Sequence, residues 1–215
     1  MKPSFVIFDC DGVLVDSEPA TLDLLREDFA PRGLDLTLET ADRLFTGGTL
    51  AAAGDKAREM GIDLPEGWVD EMYERMYARL AEGTPLIPGV QAVMDRLDAA
   101  GIPFAVGSNG SERKMQITLS QHPALYERVK NRLYSAHTYG AAKPDPTIFL
   151  AAAKDAGVAP ADCAVIDDSP SGCRAGVAAG MRTLGFAADG DDARLSSVGA
   201  EVFHDMAELP ARLGL

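Results

Sequence analysis

At 215 residues the chain is long enough to bury a full core, as one large domain or as one domain carrying an insert. Its 20 Lys and Arg stand against 33 Asp and Glu, a formal net charge of -13 with no basic block and no aromatic-interleaved basic patch, which argues against nucleic acid and anionic membranes as partners. Cys10, Cys163 and Cys173 are odd in number and lack C-x-x-C spacing, so neither a disulfide framework nor a zinc site is expected, and a reduced, cytoplasmic setting suits them. No cationic segment leads into an apolar run at the N-terminus and no apolar run approaches about 18 residues, so neither secretion nor membrane spanning is expected.

Phe5-Val6-Ile7-Phe8 is an unbroken apolar run of strand length. Behind it, Asp9 and Asp11 place two carboxylates two residues apart before a turn at Gly12. Burying two ionised carboxylates side by side costs several kcal/mol unless a cation or a shared proton offsets it, so a divalent metal is expected. The pair alone is equally compatible with an acidic turn that closes a strand. Residues 18–32 carry Leu22, Leu25 and Phe29 at helical spacing, and further helices are expected at 38–45, 50–60 and 68–80. Within the last of these, Met72, Tyr73, Met76 and Tyr77 read as packing. Nothing in this stretch reads as a strand, so residues 17–84 are expected to form a helical insert, closed by a linker in which Pro85, Pro88, Gly83 and Gly89 concentrate.

From Pro88 onward strand and helix alternate. A helix at 90–100 ends at Gly101, and an apolar strand at 102–107 opens into Ser108-Asn109-Gly110-Ser111. One helix follows, then a strand near 132–136, then a helix with Asp145 at its N-cap and Pro146 as its first residue. The strand at 163–166 runs into Asp167-Asp168, and Ser169-Pro170 caps the next helix, where Gly172, Ala175 and Gly176 allow close approach to a sheet. Residues 181–186 and 201–203 are the last strands. Strands separated by such helices imply right-handed crossovers, hence an α/β fold with a doubly wound parallel sheet built from 1–16 and 85–215.

Ligands bind beyond the carboxyl ends of strands in such sheets. Asp9, Asp11, Ser108, Asn109, Asp167 and Asp168 all follow such ends, and Lys143 lies in a loop on the same side. The acidic positions suit Mg2+, the hydroxyl and amides at Ser108-Asn109-Gly110 suit phosphate oxygens, and Lys143 adds a point charge. Together they describe a phosphoryl-transfer site.

Four segments also resemble a known family, the haloacid-dehalogenase-like superfamily. They are Asp9-Cys10-Asp11-Gly12-Val13-Leu14-Val15-Asp16-Ser17-Glu18, Ser108-Asn109-Gly110, Lys143-Pro144-Asp145-Pro146 and Val165-Ile166-Asp167-Asp168-Ser169, in the family's order and spanning nearly the whole chain. The resemblance implies a Rossmannoid core with the family's small helical cap at 17–84. It implies that Asp9 is the nucleophile that becomes an aspartyl phosphate, and that Asp11 is first acid and then base. It implies Mg2+ on the Asp9 carboxylate, the Asp11 carbonyl and Asp168, with Asp167 bound directly or through water, and a phosphoryl group held by Ser108 and Lys143.

An acid at Asp11 separates such phosphatases from the family's dehalogenases. Mutases of the β-phosphoglucomutase kind carry a His and an Arg where this chain has Thr21 and Leu50, and phosphonate hydrolysis would need a cap lysine, for which Lys56 reads as a solvated helix residue instead. Thr46, Gly47 and Gly48, in the loop 45–50, are the candidates for substrate selection, as compatible with a plain helix connection as with contact to a sugar or polyol. Ser108-Asn109-Gly110 followed by Lys114-Met115 resembles bacterial phosphatases of small sugar acids such as 6-phosphogluconate. The resulting expectation is a Mg2+-dependent phosphatase of a small phosphomonoester, monomeric or dimeric. The alternatives are a β-phosphoglucomutase-type phosphotransferase and a catalytically silent sugar-phosphate-binding protein. Cys10 reads as buried filler, and His122, His137 and His204 as surface or loop residues.

Overall fold

Four consecutive apolar side chains can only be satisfied by burial on both faces, and Phe5, Val6, Ile7 and Phe8 are at most 1% exposed in β1 (Phe5–Phe8). The computed structural model describes residues 2–46 and 48–215. After β1 come the helices α1 (Glu18–Phe29), α2 (Leu38–Phe45), α3 (Leu50–Glu59) and α4 (Trp68–Glu82). The chain then runs through α5 (Val90–Ala99), β2 (Phe104–Ser108), α6 (Glu112–Leu119), α7 (Pro123–Val129), β3 (Leu133–Ser135), α8 (Ala136–Tyr139) and α9 (Thr147–Ala156). It closes with β4 (Cys163–Asp167), α10 (Pro170–Ala178), β5 (Arg182–Phe186), α11 (Asp192–Ser196), β6 (Glu201–Phe203) and α12 (Leu209–Arg212).

The strands pair in parallel in the order β3-β2-β1-β4-β5-β6, a doubly wound sheet. The chain builds outward from β1 on one side, then returns to β4 on the other, so the topological switch point lies between β1 and β4. Register sets Phe8 level with Val106 and Ile166, which brings Asp9, Ser108 and Asp167 to the same edge. Period-two alternation divides the apolar residues between the faces. Val6, Phe8, Phe104, Val106 and Ile166 pack with Val93, Met94 and Leu97 of α5 and Met115 of α6. On the opposite face, Phe5, Ile7, Ala105 and Val165 pack with Ile148 and Phe149 of α9 and Ala175 of α10.

The chain divides into two compact units, Met1–Asp16 with Pro85–Leu215, and Ser17–Thr84. In the first, the Asp16 amide donates to the Pro85 carbonyl (2.9 Å), so the departing and returning strands of chain run side by side. Among its described residues the second holds helices and no strand, with Phe29 and Trp68 stacked at 5.6 Å between ring centroids and Met72, Met76 and Leu80 buried in the same unit. Thr37 and Thr49 cap α2 and α3 with their hydroxyls. No helix among the described residues is long and apolar enough to cross a membrane.

Two local expectations are corrected. The single helix expected between Ser111 and the third strand is two, α6 and α7, because Pro123 begins a new helix at its first turn. Pro146, expected inside the next helix, occupies its N-cap, and α9 starts at Thr147. Asp145 accepts from the Thr147 amide (2.9 Å) and hydroxyl (2.5 Å), a turn two residues long that displaces the cap.

Candidate active site

Asp9 leaves β1 with its amide donating to the Ile166 carbonyl (2.8 Å), and the residue is 8% exposed. Lys143 reaches the same place from the loop before α9. Its Nζ donates to Asp9 Oδ1 and to Asp167 Oδ2, both at 2.7 Å, and the side chain is buried. Burial pushes the Asp9 carboxyl up, to about 7, with the Asp167 and Asp11 charges adding to the rise and Lys143 opposing it. Burial works against the Lys143 charge, but Asp167 and Asp9 outweigh it and hold the ammonium above its ordinary value. The Lys143 amide donates to Asn109 Oδ1 (2.8 Å), so the Asn109 side chain ties the lysine loop to the end of β2.

Asp167 closes β4 and is fully buried. Its Oδ1 accepts from the Ser169 amide (2.9 Å) and hydroxyl (2.7 Å), while the Ser169 hydroxyl in turn accepts from the Gly172 amide (3.0 Å) and caps α10. A Cβ on Gly172 would overlap the Asp167 carboxylate, so the close approach of helix to strand end requires glycine there. Gly12 is required twice over, by a φ of 76° and because a Cβ would fall on the Asp168 carboxylate.

Carboxylate oxygens of Asp9, Asp167 and Asp168 lie within 4.8 Å of one another. Lys143 supplies one positive charge among the three, and the surplus of hard oxygen donors suits a divalent cation of the Mg2+ type. Asp11 Oδ1 pairs with Lys114 Nζ at 2.8 Å, both side chains being about a fifth exposed. Ser108 ends β2, 2% exposed, with its hydroxyl accepting from the Gly110 amide (2.9 Å), and the Gly110 carbonyl accepts from the Ser135 hydroxyl (2.7 Å).

The first unit therefore gathers Asp9, Asp11, Ser108, Asn109, Gly110, Lys143, Asp167 and Asp168 at one sheet edge. Thr46 and Gly48 belong to the helical unit, where the Thr46 hydroxyl bonds Asp42 Oδ1 (2.5 Å) and the Gly48 amide bonds the Phe45 carbonyl (3.2 Å). Gly47 lies outside the described residues. Lys56 is half-buried and its Nζ donates to the Leu44 carbonyl (3.4 Å), rather than being freely solvated. Three contributors escaped sequence reasoning: Lys114 on Asp11, Ser135 on the Gly110 carbonyl, and Arg194, whose Nη1 donates to the Asp168 carbonyl (2.7 Å). Lys114 follows Ser108 by six residues, a signal available in the sequence; the other two carry none.

A doubly wound parallel sheet with lysine-bridged carboxylates at its switch point places these residues where α/β folds of this kind bind their ligands. The chain belongs to the haloacid dehalogenase-like hydrolase family, whose sequence profile matches residues 4–180, and it is a hydrolase of that family. The 6-phosphogluconate phosphatase of Escherichia coli strain K12 is 31% identical over 207 residues, covering 95% of this chain and 92% of that protein. Hexitol phosphatase A of the same strain is 28% identical over 214 residues, covering 97% and 94%. A HAD family hydrolase of Deinococcus radiodurans R1, solved with bound phosphate and sodium, has a TM-score of 0.84 and 33% identity, covering 99% of this chain and 96% of that one.

Proposed function

We propose that the protein is a Mg2+-dependent phosphatase that hydrolyses a small sugar phosphate or sugar-acid phosphate through an aspartyl phosphate on Asp9. The observation that carries this reading is the Lys143 bridge between Asp9 and Asp167 with Asp168 in ligand range. The names of the two Escherichia coli relatives support the substrate class.

The Asp9 and Asp168 carboxylates and the Asp11 main-chain carbonyl would hold Mg2+. Both Asp167 oxygens already take donors, from Lys143 and from Ser169, which suits contact with the ion through water. Bound Mg2+ would supply charge neutralisation at the phosphoryl oxygens. Asp9 attacks phosphorus as the bond to the leaving oxygen breaks, and Asp11 delivers a proton to that oxygen. Water then attacks the aspartyl phosphate, Asp11 takes its proton, and the bond between phosphorus and Asp9 breaks to release inorganic phosphate. Lys143 opposes the burial that raises the Asp9 carboxyl and so favours its ionised, nucleophilic form, while the Ser108 hydroxyl and the Asn109 amide orient the phosphoryl oxygens. The helical unit would act as a cap whose loop 45–50, with Thr46, Gly47 and Gly48, selects the substrate.

The test is turnover of p-nitrophenyl phosphate and of a panel of phosphorylated metabolites by pure protein, with Mg2+ and with EDTA. Asp9→Asn is expected to lose at least ~10^3-fold in kcat while keeping the wild-type circular dichroism and melting temperature. Turnover retained by Asp9→Asn, or indifferent to EDTA, would overturn the mechanism.

A further inference from the structure

Arg194 lies in α11, beyond residue 180 where the family match ends. Its Nη1 donates to the main-chain carbonyl of Asp168 at 2.7 Å, and its Nη2 pairs with Asp189 Oδ2 at 3.1 Å. The helix that carries it is anchored: Leu195, next in sequence, is fully buried in a cluster with Cys173, Ala187 and Ala200. Asp168 itself sits on a short span of chain between the end of β4 and Ser169, the N-cap of α10. A guanidinium fork held at one end by a carboxylate and at the other by a peptide oxygen restrains that peptide's orientation, and Asp189 offsets a positive charge that would otherwise oppose a bound cation.

We propose that Arg194 is a positioning residue of the cation site, clamping the Asp168 peptide so that its carboxylate stays in register with Asp9 and Asp167. The inference rests on the reading of Asp168 as a metal ligand. Partners that orient a ligand rather than touch the ion typically contribute 10–100-fold in metal affinity, because small displacements of a ligand are enough to spoil a coordination shell. The segment after residue 180 thereby becomes part of the site. By reciprocity, cation binding steadies α11 as much as α11 steadies the cation.

The experiment titrates metal-free protein with Mn2+, reading the free ion by electron paramagnetic resonance. Arg194→Ala is expected to raise the Mn2+ dissociation constant about 10–100-fold with little change in the melting temperature of the metal-free protein, and Arg194→Lys, which keeps one donor, to raise it less. In the wild type, saturating Mn2+ is expected to slow amide exchange across residues 192–197. Equal Mn2+ affinity in wild type and Arg194→Ala overturns the inference alone, as does unchanged exchange at 192–197 with Mn2+ bound. A wild type that binds no Mn2+ overturns the metal reading and the inference with it.

Discussion

Asp167 directs one oxygen to Lys143 and the other to Ser169, and with no solvent exposure it has nowhere else to turn. Its position is guaranteed by the missing side chain of Gly172, which makes that glycine a sharp probe of the site. In an ordinary helix Gly→Ala gains roughly 1 kcal/mol, but a methyl that overlaps a buried carboxylate costs about 1–3 kcal/mol and displaces Asp167. Gly172→Ala is therefore expected to lower the melting temperature and to cut kcat/KM at least ~10-fold by loosening Lys143. A variant as stable and as active as the wild type would show that Asp167 can move freely. The acidic positions were legible in the sequence because Asp9, Asp11, Asp167 and Asp168 come at or just beyond the ends of apolar runs of strand length, and Lys143 because its loop falls on the same side of the sheet. Of their partners, Lys114 carried a signal in its spacing from Ser108 but not its pairing with Asp11, and Arg194 meets Asp168 only because of where α11 starts.

Among the elements, α1 carries a charge where its pattern calls for an apolar residue. Asp28 is 6% exposed, yet Trp68 Nε1 and Arg32 Nε donate to its Oδ2 (2.8 and 3.1 Å), and Arg75 donates to its Oδ1 (2.5 Å). Burial works to raise the Asp28 carboxyl, but the bonds from Trp68, Arg75 and Arg32 outweigh it and hold the group below its ordinary value. A depressed folded value contributes stability that is present above the unfolded value of ~3.9 and is lost as pH falls through the folded value. Asp28→Asn is expected to cost about 2–3 kcal/mol at pH 7, and the deficit against wild type should shrink as pH drops below ~4. Urea unfolding followed by Trp68 fluorescence measures it; a deficit that grows toward acid would contradict the ion-pair account. The long helices of this unit were readable from their 3.6-residue period, whereas Asp28 interrupts that period. The short α8, α11 and α12 offer too few residues for any period to register.

For the molecule as a whole, a net charge of -13 is compounded by three carboxylates converging on one sheet edge with a single bridging lysine. The sheet order was inferable as a class, because parallel strands with helical crossovers admit few windings, and so was the gathering of residues 9, 167 and 168 at one edge, whereas their mutual distances depend on the register that only pairing sets. Such a cluster makes opposite contributions with and without its cation. In metal-free protein each carboxylate repels the others, so Asp168→Asn is expected to melt at or above the wild type. With Mg2+ the order should reverse. An ion that binds only the folded state adds about 2.7 kcal/mol at a hundred times its dissociation constant, which for a chain of this length raises the melting temperature by roughly 5–10 °C. Asp168→Asn lacks a ligand and should gain little of this. Because diffuse screening would also relieve repulsion, the comparison is made against NaCl at equal ionic strength, where both proteins should respond alike. Equal Mg2+ shifts in the two proteins would place the cation somewhere other than Asp168, whereas a crossing of the two melting temperatures as Mg2+ is added is the outcome the carboxylate geometry requires.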